Sequence, residues 1–344
     1  MKKTFLAALQ YAFFAALAVF FVWLSMRGMD HEKWEQLKKA MDHAHYWLLV
    51  PVFSLLLLAH WLRGLRWRQL IEPMGYSPSR LNAFFAVMIG YFVNLGAPRL
   101  GEVIKCTILA RYEKVPAQKL VGTIVAERAF DVICLLLVFA LTFVFQFDII
   151  SSLAHDYIYP LFQKNGQTAY GKIIFIAAGF IIFLVVLKII FNRFGHINII
   201  QKIKEILMGV WHGLISVRAL KNKPLFFFYT IAIWLMYLLS TWCGFFAINE
   251  TSSLGLADAL TVLAMGSVGM IISPGGIGAY ALLVMETVAL YHIPKEPYGQ
   301  ALGWLLWFGQ FLSFVIFGVI SFILLPRVNR QKITTDESAP GYPA

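Results

Sequence analysis

The chain has 344 residues, 60% of them hydrophobic and 14% charged, with a mean hydropathy of +0.71. A soluble domain is about 45–50% apolar and about 25% charged, so this composition excludes a single globular core, and apolar runs recurring from Phe5 to Leu325 exclude a single span. The formal charge of +11 suits anionic lipid headgroups at a membrane face more than nucleic acid.

A helix needs about 20 apolar residues to cross a bilayer. In chain order, Phe5–Leu24, Leu120–Phe145, Leu225–Ile248 and Ala301–Leu325 meet that length. Tyr46–Leu62 is shorter, and Ile173–Phe191 carries Lys188 near one end, where a long side chain can snorkel. Lys2 and Lys3 precede a first run longer than a secretion signal's apolar core, so a retained span is expected. Residues 326–344 read as a disordered cytoplasmic tail, which leaves no place for a soluble catalytic domain. Ile200, Ile203, Leu207, Val210, Leu214 and Val217 recur at helical spacing beside Lys202 and Lys204, the pattern of an amphipathic surface helix.

Two stretches behave differently. Asn82–Ala97 and Glu102–Tyr112 are each too short to cross and are joined at Ala97-Pro98-Arg99-Leu100-Gly101. Asp258–Ser273 and Gly278–Tyr291 repeat the plan around Pro274-Gly275-Gly276-Ile277. Helix breakers between short apolar arms predict re-entrant hairpins over 82–112 and 258–291; two tilted helices with a tight loop are the alternative. In both cases the chain returns to its starting face. With the N-terminus inside, the inner face then receives nineteen of the 29 basic residues and the outer face seven. That bias places both termini in the cytoplasm and the protein in the cytoplasmic (inner) membrane.

The chain therefore reads as an all-α polytopic membrane protein built from two units, 1–147 and 171–325, each of three transmembrane helices plus a hairpin. Gly90 precedes Pro98 by the same interval as Gly266 precedes Pro274. An odd number of crossings per unit makes the repeats inverted. Inverted repeats with interrupted helices near the midplane suit alternating access, although duplication can also build a merely symmetric scaffold.

Charges inside a bilayer are costly and are kept for a reason. Arg99, Glu102 and Lys105 surround the first turn, and Glu127, Arg128 and Asp131 fall within about 100° of one helix circumference. They could form a lock between hairpin and helix, a site for an anionic headgroup with a carboxylate free to exchange a proton, or both. The glycines of Pro274-Gly275-Gly276-Ile277-Gly278 could let backbone amides form an anion nest. Arg99, Lys105, Arg128, Gly275, Gly276 and Gly278 are thus the candidate headgroup-binding residues, with Glu102, Glu127, Asp131 and Glu286 as the charge or coupling network. Glu286 could equally be capped by a neighbouring hydroxyl. The eight histidines fall in loops or near span ends, and Cys106, Cys134 and Cys243 lack metal spacing, so neither a metal site nor a cofactor is expected. Arg63, Arg66 and Arg68 read as an anchor for the second span against anionic headgroups.

Three motifs, Pro98-x-x-Gly101-Glu102-x-x-Lys105, Glu127-Arg128-x-x-Asp131 and Pro274-Gly275-Gly276-Ile277-Gly278, in this order resemble the flippase-like membrane family named after the transmembrane region of lysylphosphatidylglycerol synthase. The resemblance spans almost the whole chain. It implies translocation of a lipid such as an aminoacylated phospholipid, a polyprenyl-linked sugar or a hopanoid, without the synthase's soluble transferase. The expectation is a lipid transporter for a phosphate-bearing lipid and not an enzyme. The alternatives are an integral membrane enzyme on lipid-linked phosphate or sugar, and an accessory subunit for a lipid synthase or glycosyltransferase partner.

Overall fold

A computed structural model describes residues 2–97, 100–147 and 217–330, together with 149, 163–164 and 167–168. The expected span Ile173–Phe191, most of the amphipathic stretch after Ile200, Pro98, Arg99 and most of the tail lie outside the described residues. The described chain is helical, apart from a two-residue antiparallel ladder that pairs Gln163–Lys164 with Gln167–Thr168. In order the helices are α1 (Lys2–Met26), α2 (His31–Asp42), α3 (Leu49–Ile71), α4 (Arg80–Gly96), α5 (Leu100–Glu113) and α6 (Ala117–Phe145). They are followed by α7 (Lys223–Phe245), α8 (Leu256–Ile272), α9 (Ala279–Val288) and α10 (Gln300–Val328). Among the described residues, the helical stretches Tyr46–Met74, Ala117–Phe145, Lys223–Phe245 and Lys295–Val328 are long and apolar enough to cross a membrane.

α3 overruns its expected end at Leu62 by nine residues. Hydropathy falls at Arg63, yet Arg63 and Arg66 are buried at 6% and 0% exposure because carboxylates meet them inside the bundle. These two arginines are therefore not the surface anchor read from the sequence. Arg68 is half-buried and pairs with Glu72 at 3.3 Å. α2 was not anticipated. The Asp30 side chain caps it by accepting from the Lys33 amide at 2.8 Å, Leu37 is its buried contact, and Lys33 reaches Glu296 at 2.7 Å. That hydrogen bond raises the Lys33 pKa above its ordinary value.

The arms of both hairpins are short: α4 has 17 residues, α5 has 14, α8 has 17 and α9 has 10. α4 and α5 meet backbone to backbone, since a Cβ on Gly90 would lie 2.9 Å from the Gly101 carbonyl oxygen. The open end of this hairpin is tied to the end of α10: Asn82 Nδ2 donates to Asn329 Oδ1 at 2.9 Å, and Asn329 Nδ2 returns a bond to Asn82 Oδ1 at 2.8 Å. Glu113 accepts from the Ser79 amide at 3.1 Å and from the Asn82 side chain.

Packing is crosswise. α3 lies along α7, α4 packs on α10 as well as on α5, and α8 packs on α6 as well as on α9. Each hairpin has its own apolar core. Trp67, Val87, Leu109, Leu120 and Phe226 surround the first, and Phe245, Val262, Val284, Leu302 and Leu306 surround the second. Overpacking a tight contact costs about 1–3 kcal/mol. Gly101→Ala is thus expected to lower the thermal unfolding midpoint in detergent by the equivalent of at least the upper end of that range, because its Cβ would collide with the Gly90 backbone carbonyl and lie 2.7 Å from Asn94 Oδ1. Gly122→Ala, with nothing within 4 Å, should leave the midpoint unchanged or raise it.

Candidate functional site: a buried ion cluster beside a shared cavity

The cluster begins with spacing. Arg63 and Arg66 lie one turn apart on α3, and Glu127 and Asp131 lie one turn apart on α6, so each pair occupies one helix face. Where the faces meet, Arg63 Nη1 donates to Asp131 Oδ2 at 2.8 Å and to Glu127 Oε1 at 3.3 Å. Arg66 Nη2 donates to Asp131 Oδ1 at 2.6 Å and lies 3.8 Å from Glu127 Oε1. The remaining Glu127 oxygen accepts from Lys105 Nζ of the hairpin at 2.7 Å. Lys105 also sits 4.4 Å from the centre of the Trp67 ring, a cation–π contact. Every carboxylate oxygen of Glu127 and Asp131 is engaged, which favours the locking role over proton exchange at these two groups.

Arg128, next to Glu127, points elsewhere. It donates through Nε to Glu102 Oε1 at 2.9 Å, its Nη1 lies 3.9 Å from Asp131, and its side chain remains 43% exposed. Among the described residues the connected cluster holds four cations (Arg63, Arg66, Lys105, Arg128) and three carboxylates (Glu102, Glu127, Asp131). One positive charge is left over, because Arg63, Arg66 and Lys105 share two carboxylates, while Arg128, paired with Glu102, is the most exposed cation of the set and borders a cavity.

That cavity, of about 590 Å³, is lined by Arg63, Arg128 and Asp131 on one side. Asn94 and Leu95 from the end of α4 and Ser273, Pro274 and Gly275 from the second turn also line it. The two hairpin ends therefore meet: a Cβ on Gly275 would lie 3.1 Å from Leu95 Cδ2. Gly275 has φ +60°, a left-handed conformation that favours glycine, and its carbonyl accepts from Trp307 Nε1 at 2.9 Å.

Several sequence-derived candidates sit elsewhere. Lys105 is a buried part of the lock and does not line the cavity. Gly276 packs on Met270 and Tyr280, and Gly278 on the α1 backbone at Phe21 and Val22, so both serve close approach. The expected amide nest is largely spent, since the Gly276, Ile277 and Ala279 amides donate to the Ser273, Pro274 and Ile277 carbonyls. Glu286 pairs with Lys295 at an exposed position and joins no part of the cluster. Arg99 lies outside the described residues. Sequence reading missed Arg63 and Arg66 as cluster members. It also missed His60, which is 1% exposed, lines the cavity and lies within α3, far from a loop. The findable signal was the i, i+3, i+6 spacing of His60, Arg63 and Arg66 along one helix.

Removing one partner of a buried ion pair costs about 3–5 kcal/mol, whereas a surface pair is worth about 0–1 kcal/mol. Glu127→Gln is therefore expected to reduce the yield of folded protein and lower its unfolding midpoint sharply, while Glu286→Gln leaves both nearly unchanged. Size-exclusion profiles and thermal unfolding of the two variants measure this contrast.

Comparison with known proteins places this architecture. A UPF0104 membrane protein of Methanocaldococcus jannaschii is 22% identical over 346 aligned residues, covering 96% of each chain. No solved structure matches. The family described as "Lysylphosphatidylglycerol synthase TM region" matches residues 8–302. The chain belongs to this family, whose lipid-related membrane character fits a helical bundle built around a charged cavity.

Proposed function

We propose that this protein carries a lipid with an anionic, phosphate-bearing headgroup across the cytoplasmic membrane, holding the headgroup in the cavity while the acyl chains stay in the bilayer. One observation carries the reading: ends of both hairpins line a single cavity whose wall includes Arg128, Arg63 and Asp131, members of a cluster with one more cation than carboxylate. An anion entering there neutralises a charge that the cluster itself leaves unbalanced, and the gain is large where water is scarce.

Crosswise packing supplies the means of movement. The first hairpin rests on α10 and the second hairpin's α8 rests on α6, so each half holds the other's interrupted helix. In an inverted repeat with both termini in the cytoplasm, exchanging the two arrangements would open the same cavity first to one leaflet and then to the other. Both hairpins are then re-entrant, since their arms fall short of the roughly 20 residues needed to cross. Translocation so described needs no covalent step, and the protein acts as a transporter.

Purified protein reconstituted into liposomes should accelerate the loss of outer-leaflet reporter for a fluorescent phosphatidylglycerol. Arg128→Ala should slow that exchange about tenfold or more, the value of a lost charge-assisted contact, with little effect on unfolding because the side chain is half-exposed. Wild-type vesicles no faster than empty ones, across several anionic lipids and ion gradients, would overturn the reading.

A further inference from the structure

One polar contact occurs twice in the bundle, at matching places. α4 and α8, the first arms of the hairpins, each have 17 residues, and the long helices α6 and α10 each have 29. The third residue of α4 is Asn82, which exchanges its two amide hydrogen bonds, at 2.9 and 2.8 Å, with Asn329, the residue after α10. The third residue of α8 is Asp258, which accepts at 2.6 Å from Nε2 of Gln146, the residue after α6. Asn82 precedes Asp258 by the same interval that separates Gly90 from Gly266. Each contact thus ties the hairpin of one unit to the last span of the other.

Behind each tie the seam between the helices is apolar, and behind that lies the cavity. Phe85, Ile89 and Leu325 fill the α4–α10 seam, and Val138, Leu260 and Ala264 fill the α6–α8 seam. Beyond these plugs the same helix pairs line the cavity, through Asn94 and Phe314 in one and Arg128 and Met270 in the other. The order of tie, plug and cavity holds along all four helices, and about 18 Å of helix separates Asn82 from Asn94 and Asp258 from Met270. The ties are also built to part. A buried polar group left unpaired is costly, but Asn82 keeps Glu113 and Asn329 keeps the Leu325 carbonyl at 2.8 Å. Asp258 likewise keeps the Gly255 amide at 2.7 Å.

We infer that Asn82–Asn329 and Gln146–Asp258 are paired latches, at the cytoplasmic and outer ends of the path respectively, and that releasing one while the other holds opens the cavity to one face. The latches rest on the transporter reading and the orientation proposed with it, and they regulate access to the same cavity. Both are engaged in this structure. Alternating access needs such a pair, because a path open at both ends at once is a leak.

Thiol labelling tests the latches without any transport measurement. Chains carrying Ile89→Cys in one plug or Leu260→Cys in the other are placed in lipid nanodiscs, where both faces meet solvent, and treated with a charged maleimide. Peptide mass spectrometry reads the labelling rate at each position. Asn82→Ala should raise the rate at position 89 about threefold and lower it at position 260, and Gln146→Ala should do the reverse. A second arm closes a latch covalently: Asn82→Cys with Asn329→Cys, or Gln146→Cys with Asp258→Cys, is bridged by a short bis-methanethiosulfonate. Either bridge should stop phosphatidylglycerol exchange in liposomes, relative to wild type treated alike, and dithiothreitol should restore it. Exchange that survives both bridges, or labelling that rises at one position with no fall at the other, makes the ties static braces and overturns the latches while the transporter reading stands. No exchange by the unbridged protein overturns both.

Discussion

The structure depends on one arrangement, the pairing of Arg63 and Arg66 on α3 with Glu127 and Asp131 on α6, closed by Lys105 from the first hairpin. None of these side chains would lie within the span of a bilayer unless the others were present, because an isolated charge there costs several kcal/mol. Mutual neutralisation removes most of that penalty but does not make the cluster a net stabiliser; apolar residues of equal volume would hold three helices together at least as well. What the charges add is specificity. Slipping α3 by one residue against α6 would turn both arginines about 100° away from their partners, so the register of the bundle is fixed far more tightly than apolar packing alone could fix it.

That register in turn places the cavity. Arg63 and Asp131 belong to both the cluster and the cavity wall, so the lock and the site share atoms. The hairpin ends approach the same space from two separately cored units, one organised around Trp67 and Leu109 and the other around Phe245 and Val284. A cavity bounded by two cores changes shape when those cores shift relative to each other, while each core keeps its own packing. Glu102 and Arg128 form the part of the network that can respond, since both are partly exposed and Glu102 is held in the cluster by Arg128.

Much of this was legible in the sequence and the reasons are local. Composition, run lengths and the two proline–glycine interruptions identified a polytopic helical protein with paired short arms, because each is a property of contiguous residues. Glu127, Arg128 and Asp131 stood out for the same reason: three charges within five residues of an otherwise apolar run. Arg63 and Arg66 were misread because hydropathy averages over a window and cannot register that a carboxylate from 64 or 65 residues later will meet the side chain. His60 was passed over on similar grounds, since only three-dimensional packing shows that its nitrogens are buried without partners in a residue that lines the cavity. The glycines misled in the opposite direction. A Pro-Gly-Gly-x-Gly run is compatible with ligand approach and with helix approach, and Gly276 and Gly278 answer to Met270 and α1.

Ionic and neutral polar groups thus meet along one stretch of α3. Once α3, α5 and α6 are locked, Arg63, Arg66 and Lys105 share two carboxylates in the interior, and Arg128, paired with Glu102, is the cation left partly exposed at the cavity wall. His60, one turn from Arg63 on α3, and Trp234 on α7 carry buried neutral nitrogens without hydrogen-bond partners. Unpaired buried nitrogens at His60 and Trp234 cost about 1–3 kcal/mol each, so the aromatic packing of Tyr91, Tyr237 and Phe314 around His60 holds the fold against that loss.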